Sequence, residues 1–92
     1  MDAEVVNNES RSRYELTLDG HIAIAAYKVH PDHLTFYHTE VPAALEGRGI
    51  GKRLIKAALA DVRRRGLKLV ATCPFVHHYI ETHPEEQDLV LR

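Results

Sequence analysis

From Gly47 to Arg53 the chain reads Gly-Arg-Gly-Ile-Gly-Lys-Arg, so three alternating glycines are followed at once by two cations. Glycine admits positive φ and lets bare backbone N–H groups approach a ligand, and a helix beginning here adds its own unpaired N–H groups and the positive end of its dipole. Residues of these types in this order make an anion site. Its spacing excludes two nucleotide-binding motifs. In a P-loop, Glu46 would stand where the first glycine belongs and Arg53 where the hydroxyl belongs. In a dinucleotide fingerprint, Lys52 would replace the third glycine, and the loop would open the first βα unit rather than lie mid-chain. Four more side chains have chemistry to offer. Cys73 precedes Pro74 and so occupies an expected helix N-cap, where the dipole favours a thiolate nucleophile; its plainer reading is a small packed residue. Glu40 and His38 share one strand face and suit a general base, or simply end a strand. Tyr79 is a proton donor or a core aromatic. Seven histidines raise the question of a metal, but none pairs with the cysteine at zinc-site spacing, and no metal is expected.

These groups need elements to hold them. Val5-Val6 offers an edge strand. Tyr14 to Leu18 alternates with period two, and Asp19-Gly20 supplies the pair that a two-residue type I′ hairpin prefers. His21 to Val29 is apolar at nearly every position, which predicts a central strand covered on both faces. After the turn His30-Pro31-Asp32-His33, the β-branched and aromatic run Leu34 to Val41 forms another strand. From Gly49 to Arg65 the period becomes 3.6: Gly51, Leu54, Ile55, Ala58, Leu59 and Val62 share one arc, and Gly66 stands at the expected C′. Lys68 to Thr72 is a short apolar strand, parallel to the one before the helix because a crossover joins them. Pro74 opens a second helix whose apolar face is Phe75, Val76, Tyr79 and Ile80, stopped by His83-Pro84. Leu89 to Leu91 is a last short strand or a docked tail. The fold class is α+β with a single mixed sheet: an antiparallel meander, a right-handed βαβ crossover and a C-terminal helix, in one domain over residues 1–92. Ligands in such sheets lie at the carboxyl ends of the parallel strands, which groups Glu40, the glycine loop and Cys73.

Composition narrows the classes. A chain of 92 residues buries only about 60–65% of its unfolded surface, so modest stability is expected. One cysteine excludes an internal disulfide framework, and there is neither an apolar leader nor a long hydrophobic span, which predicts a cytoplasmic, reducing setting and no membrane partner. The net charge of −1 hides an asymmetry: Arg48, Lys52, Arg53, Lys56, Arg63, Arg64, Arg65 and Lys68 carry most of the 12 cations. Nucleic acid is a poor fit, since the total is not basic and no stacking aromatics are interleaved.

Three motifs occur in order: His38-Thr39-Glu40-Val41-Pro42, Gly47-Arg48-Gly49-Ile50-Gly51, and Thr72-Cys73-Pro74-Phe75-Val76 with Tyr79. Together they resemble the small GNAT-like N-acetyltransferases of the GNAT superfamily, the YjdJ-like group, over roughly Ile22 to Val90. The loop is similar to the superfamily's acetyl-CoA loop, with Gly49 and Gly51 in its two small positions and Glu46 departing from its first. The resemblance implies a GNAT-like fold, acetyl-CoA as co-substrate, and acetyl transfer to an amine acceptor, a small amine or a protein lysine. It implies that Val41, Glu46, Gly47, Arg48, Gly49, Ile50, Gly51, Lys52 and Arg53 bind CoA, with the pantetheine arm between two parted parallel strands. In that setting Glu40 or His38 takes the ammonium proton, Tyr79 protonates the leaving thiolate, and Cys73 is an acyl carrier or lines the channel. The alternative is a CoA-binding module without substantial catalysis, because the chain is short of an acceptor-binding element.

Overall fold

The computed structural model describes residues 5–91. Val5–Asn8 (β1) forms the edge strand, and a 3₁₀ turn leads to Arg13–Leu18 (β2). Asp19 and Gly20 both take positive φ, 52° and 76°, so the Asp-Gly hairpin forms as expected and returns the chain as His21–Val29 (β3). His33–Glu40 (β4) comes next, then a 3₁₀ turn at Ala43–Leu45 and the helix Ile50–Arg64 (α1). The end of α1 is a Schellman motif: the Leu67 N–H bonds the Val62 carbonyl at 3.1 Å and the Gly66 N–H bonds the Arg63 carbonyl at 3.0 Å. Lys68–Ala71 (β5) and Pro74–Glu81 (α2) complete the regular elements, before a 3₁₀ segment Pro84–Leu89. The sheet runs β1-β2-β3-β4-β5, antiparallel except for the parallel pair β4–β5. The tail docks rather than forming a strand: Val90 makes one parallel bridge to Leu69.

One face of the sheet holds the core. Tyr14, Leu16, Ala23, Ala25, Tyr27, Phe36 and Leu69 cluster with Leu54, Ile55, Ala58, Leu59 and Val62 of α1 and with Val76 and Ile80 of α2. Each Leu, Ile, Val or Phe among them contributes about 1.5–3 kcal/mol by leaving water. The Tyr14 hydroxyl donates to Asp61 at 2.6 Å, and Asp61 also accepts from Arg64 and forms an ion pair with Arg65, so sheet and helix are pinned by a polar contact at the cluster's margin.

Two expectations are corrected here. The continuous apolar run of β3 predicted cover on both faces, yet both helices join the same cluster, and Ile22 on the opposite face is 45% exposed. Unbroken apolarity cannot distinguish a second covered face from a bare one carrying Ile22 and Ile24. Phe75 was expected on the buried arc of α2, but it is 41% exposed, whereas Val76, Tyr79 and Ile80 are buried.

The feature that shapes the site is a bulge in β4. Ala26 pairs with His38 while Tyr27 pairs with Phe36, which leaves Tyr37 as the extra residue. A one-residue insertion reverses the facing of every residue beyond it in the strand. Leu34 and Phe36 face the helices before the bulge; after it Thr39 does, opposite buried Ala25, and His38 and Glu40 turn to the open face. The β4–β5 ladder stops at the same place, since its last pair is Phe36 with Ala71. The N–H groups of Thr72 and Cys73 both converge on the Phe36 carbonyl at 3.0 Å, and beyond it β4 pairs with β3 alone. The carboxyl ends of the two parallel strands therefore part.

Candidate active site

Beyond β4, buried Leu45 anchors the loop, and the N–H of Glu46 donates to the Ala43 carbonyl at 3.2 Å. Gly47 and Gly49 then take φ of 78° and 72°, a region that costs any other L-residue about 1–2 kcal/mol. Gly49 is the N-cap of α1 and provides no side-chain cap; the first intrahelical bond is Arg53 N–H to the Gly49 carbonyl, at 3.1 Å. The N–H groups of Ile50, Gly51 and Lys52 lie ahead of that bond, at the positive end of a 15-residue helix. Gly51 matters for a different reason. A Cβ there would stand 2.7 Å from Phe75 Cζ, so the missing side chain lets α2 lay a ring against the first turn of α1.

A cleft of about 430 Å³ lies along this loop, lined by Val41, Leu45, Glu46, Gly47, Gly49, Ile50, Gly51, Lys52 and Phe75. Seven of the expected CoA-binding residues are among them. Arg48 and Arg53 are not, and Arg48 is held in an exposed ion pair with Asp19 of the β2–β3 hairpin at 2.9 Å. Leu45 and Phe75 were missed by sequence reasoning. The bare position at Gly51, one turn from the loop, was the only signal for Phe75.

The chemically reactive groups fall on two sides of the parted strands. Cys73, at the N-cap of α2, is 5% exposed and belongs to the core cluster; its Sγ lies 3.4 Å from Thr39 Oγ1, across the gap. Thr39 was not singled out from sequence, because only the bulge turns it inward. His38 Nε2 and Glu40 Oε2 are 3.6 Å apart on the open face, each side chain more than half exposed. Tyr79 is not brought to either group. Its ring stacks on His83 with centroids 3.8 Å apart, in the last turn of α2, roughly 9 Å of helix rise from Cys73. Burial, helped by Glu86 and Glu85, raises its pKa. Among the described residues no group of three or more His, Cys, Asp or Glu converges as a metal site would require.

Known proteins resemble this chain in sequence and fold. The family model for GCN5-related N-acetyl-transferase covers residues 13–89, from the second strand to the tail. The chain belongs to this family. The "Protein NATD1" of Xenopus tropicalis is 35% identical over 88 residues, which is 92% of this chain and 81% of that protein. Its Gallus gallus counterpart is 36% identical over 89 residues, 94% of this chain and 81% of that protein. The solution structure of a GCN5-like protein from Staphylococcus aureus superposes with a TM-score of 0.73 at 31% identity, covering 96% of this chain and 87% of that one. The mixed five-stranded sheet with its helices on one face is thus a GNAT-like fold, and the chain stands among the N-acetyltransferases. No helix among the described residues is long and apolar enough to cross a membrane.

Proposed function

We propose that this protein transfers an acetyl group from acetyl-CoA to an amine, acting as a single domain in a cytoplasmic setting. The observation that carries the reading is continuity: the cleft beside the uncapped start of α1 reaches Val41, at the end of β4, where that strand has parted from β5. A thioester arm laid in the gap would put its pyrophosphate against the N–H groups of Ile50, Gly51 and Lys52. An anion at that position supplies the cap that Gly49 does not.

The bulge supports a division of roles, because it sets His38 and Glu40 on the face of β4 opposite to Thr39, which lies beside Cys73. On the open face, Glu40 or His38 accepts the proton of an incoming ammonium, since only the neutral amine attacks. The amine nitrogen bonds to the carbonyl carbon, the C–S bond breaks, and the thiolate leaves to take up a proton. On the helix face, Cys73 and Thr39 line the channel beneath that carbonyl. Direct transfer is favoured over an acyl-cysteine because Cys73 is 5% exposed, whereas the His38–Glu40 pair faces the solvent from which an acceptor comes.

The test is calorimetry with CoA together with a turnover assay on a panel of amines and a lysine peptide. CoA binding with amine acetylation supports the reading. Binding without turnover on any acceptor would make the chain a CoA-binding module, and absence of binding would overturn both. Intact mass after rapid quench with acetyl-CoA separates the roles of Cys73: an adduct lost in Cys73→Ser would identify an acyl carrier.

A further inference from the structure

β5 has β4 on one side only, and its backbone groups alternate between that partner and the outside of the sheet. The Thr72 N–H reaches the Phe36 carbonyl at 3.0 Å, whereas the Leu69 carbonyl points the other way and accepts the Leu91 N–H at 2.8 Å. Ala71, two residues beyond Leu69, therefore turns both its N–H and its carbonyl outward. The tail does not pair with them. Its one bridge is Val90 with Leu69, and among the described residues no backbone bond arrives at Ala71 from this side. An unpaired strand edge is a template for another strand.

This edge opens onto a cleft of about 380 Å³ between β5, α2 and the tail, away from the glycine loop. Val70, Ile80 and Val90 give it aliphatic walls, and Gln87 Nε2 donates to the Ile80 carbonyl at 3.4 Å, tying the tail to α2. At its rim Glu81 stands 3.4 Å from His77, and no lysine or arginine lines the cleft.

We infer that the outer edge of β5 is a docking site for an extended segment of a partner protein. The segment adds to the sheet at Ala71, places an aliphatic side chain against Ile80 and Val90, and sets a lysine or arginine beside Glu81. The outward N–H and carbonyl of Ala71 select a peptide backbone, which supplies one acceptor and one donor at strand spacing. Successive side chains of an added strand alternate in direction, so the neighbour of the bonded residue enters the cleft. A second copy of this chain is a poorer occupant. Two β5 edges joined about a twofold axis would each have Leu69 already taken by its own tail, leaving one residue per chain to pair. The site stands independently of acetyl transfer.

Amide hydrogen exchange followed by NMR on the full chain tests the edge. The Ala71 N–H is expected to exchange at least about tenfold faster than that of Val70, which is turned toward β4. The probes are blocked octapeptides in a serine–threonine host, carrying one leucine and one lysine at every pair of positions. At least one is expected to bind, shift the Ala71 amide resonance and slow its exchange. In that peptide, leucine to alanine should weaken binding about tenfold, and N-methylation about fivefold at alternate positions only. Ala71→Pro removes the outward N–H while leaving the ladder to β4 intact, and should weaken the same peptide about fivefold. Val90→Ala, which alters the wall alone, should shrink the leucine-to-alanine ratio. An Ala71 amide already protected in the free chain, no octapeptide binding above the bare host sequence, or binding that leaves the Ala71 resonance unmoved overturns the site. Protection that grows with protein concentration assigns the edge to a second copy and overturns the proposal equally.

Discussion

Gly49 and Gly51 should respond to alanine in opposite ways. At Gly49, φ is 72° and an added Cβ meets no atom within 4 Å, so Gly49→Ala suffers backbone strain and nothing else. Strain of about 1–2 kcal/mol, less the several tenths by which alanine restricts the unfolded chain, leaves about 1 kcal/mol of destabilisation. For a domain of this size that lowers Tm by about 4–8 °C. If the loop relieves the strain by flipping, the N–H groups of the first turn swing away, and CoA affinity falls by about tenfold or more, the loss of a hydrogen bond to a charged group. Gly51 has helical backbone, and alanine there gains up to about 1 kcal/mol of helix propensity. The opposing term is the 2.7 Å approach to Phe75 Cζ. Phe75 is 41% exposed and can swing outward, at a cost of about 1 kcal/mol in lost burial. Gly51→Ala should therefore leave Tm nearly unchanged while weakening CoA through the displaced ring. Urea and thermal denaturation, paired with CoA calorimetry, read both effects. The reasoning fails if Gly51→Ala destabilises as much as Gly49→Ala, or if Gly49→Ala leaves Tm unchanged.

The same geometry sets further outcomes. Glu40→Gln should leave CoA affinity intact and lower kcat by about 10²-fold or more if Glu40 is the base, a loss that an unchanged pH–rate profile would contradict. Cys73→Ser should keep both CoA binding and turnover, so abolished turnover with binding preserved would refute its role as lining. Glu46→Gln removes a carboxylate from the cleft and should tighten CoA by about two- to fivefold at low salt, the Coulomb effect of one charge at ~8 Å in water-like dielectric; weaker binding would argue that Glu46 touches the ligand productively. Burial works to raise the pKa of Asp61, but hydrogen bonds from Tyr14 and Arg64 and the charge of Arg65 outweigh it and hold the carboxyl below the usual range. Its contribution is thus complete above the ordinary aspartate pKa near about 3.9 and is lost as pH falls through the lower folded value. Tyr14→Phe should cost about 1–3 kcal/mol at pH 7, and the gap to wild type should shrink below about pH 4; a gap that stays constant down to pH 3 would remove the Tyr14–Asp61 link from the account.

The sequence by itself determined the elements and the glycine loop that opens α1. Local signals are enough for these: Asp19-Gly20 fixes the hairpin, the 3.6 period and Gly66 bound α1, and Gly47 and Gly49 mark positive φ. Motif order was also sufficient to reach the family, because residue type and spacing survive without coordinates. Facing was decided only in three dimensions. Whether β3 has one covered face or two depends on where the helices pack, and its unbroken apolar run is compatible with both. The bulge at Tyr37 has no local signature, yet it turns Thr39 toward Cys73 and sets His38 and Glu40 on the opposite side. Likewise Tyr79 carried the right chemistry for an acid, but the pitch of α2 stacks it on His83, and Phe75, assigned to the core, lies instead against the glycine that made room for it. Spacing along a chain names the groups, and the pairing register decides which of them meet.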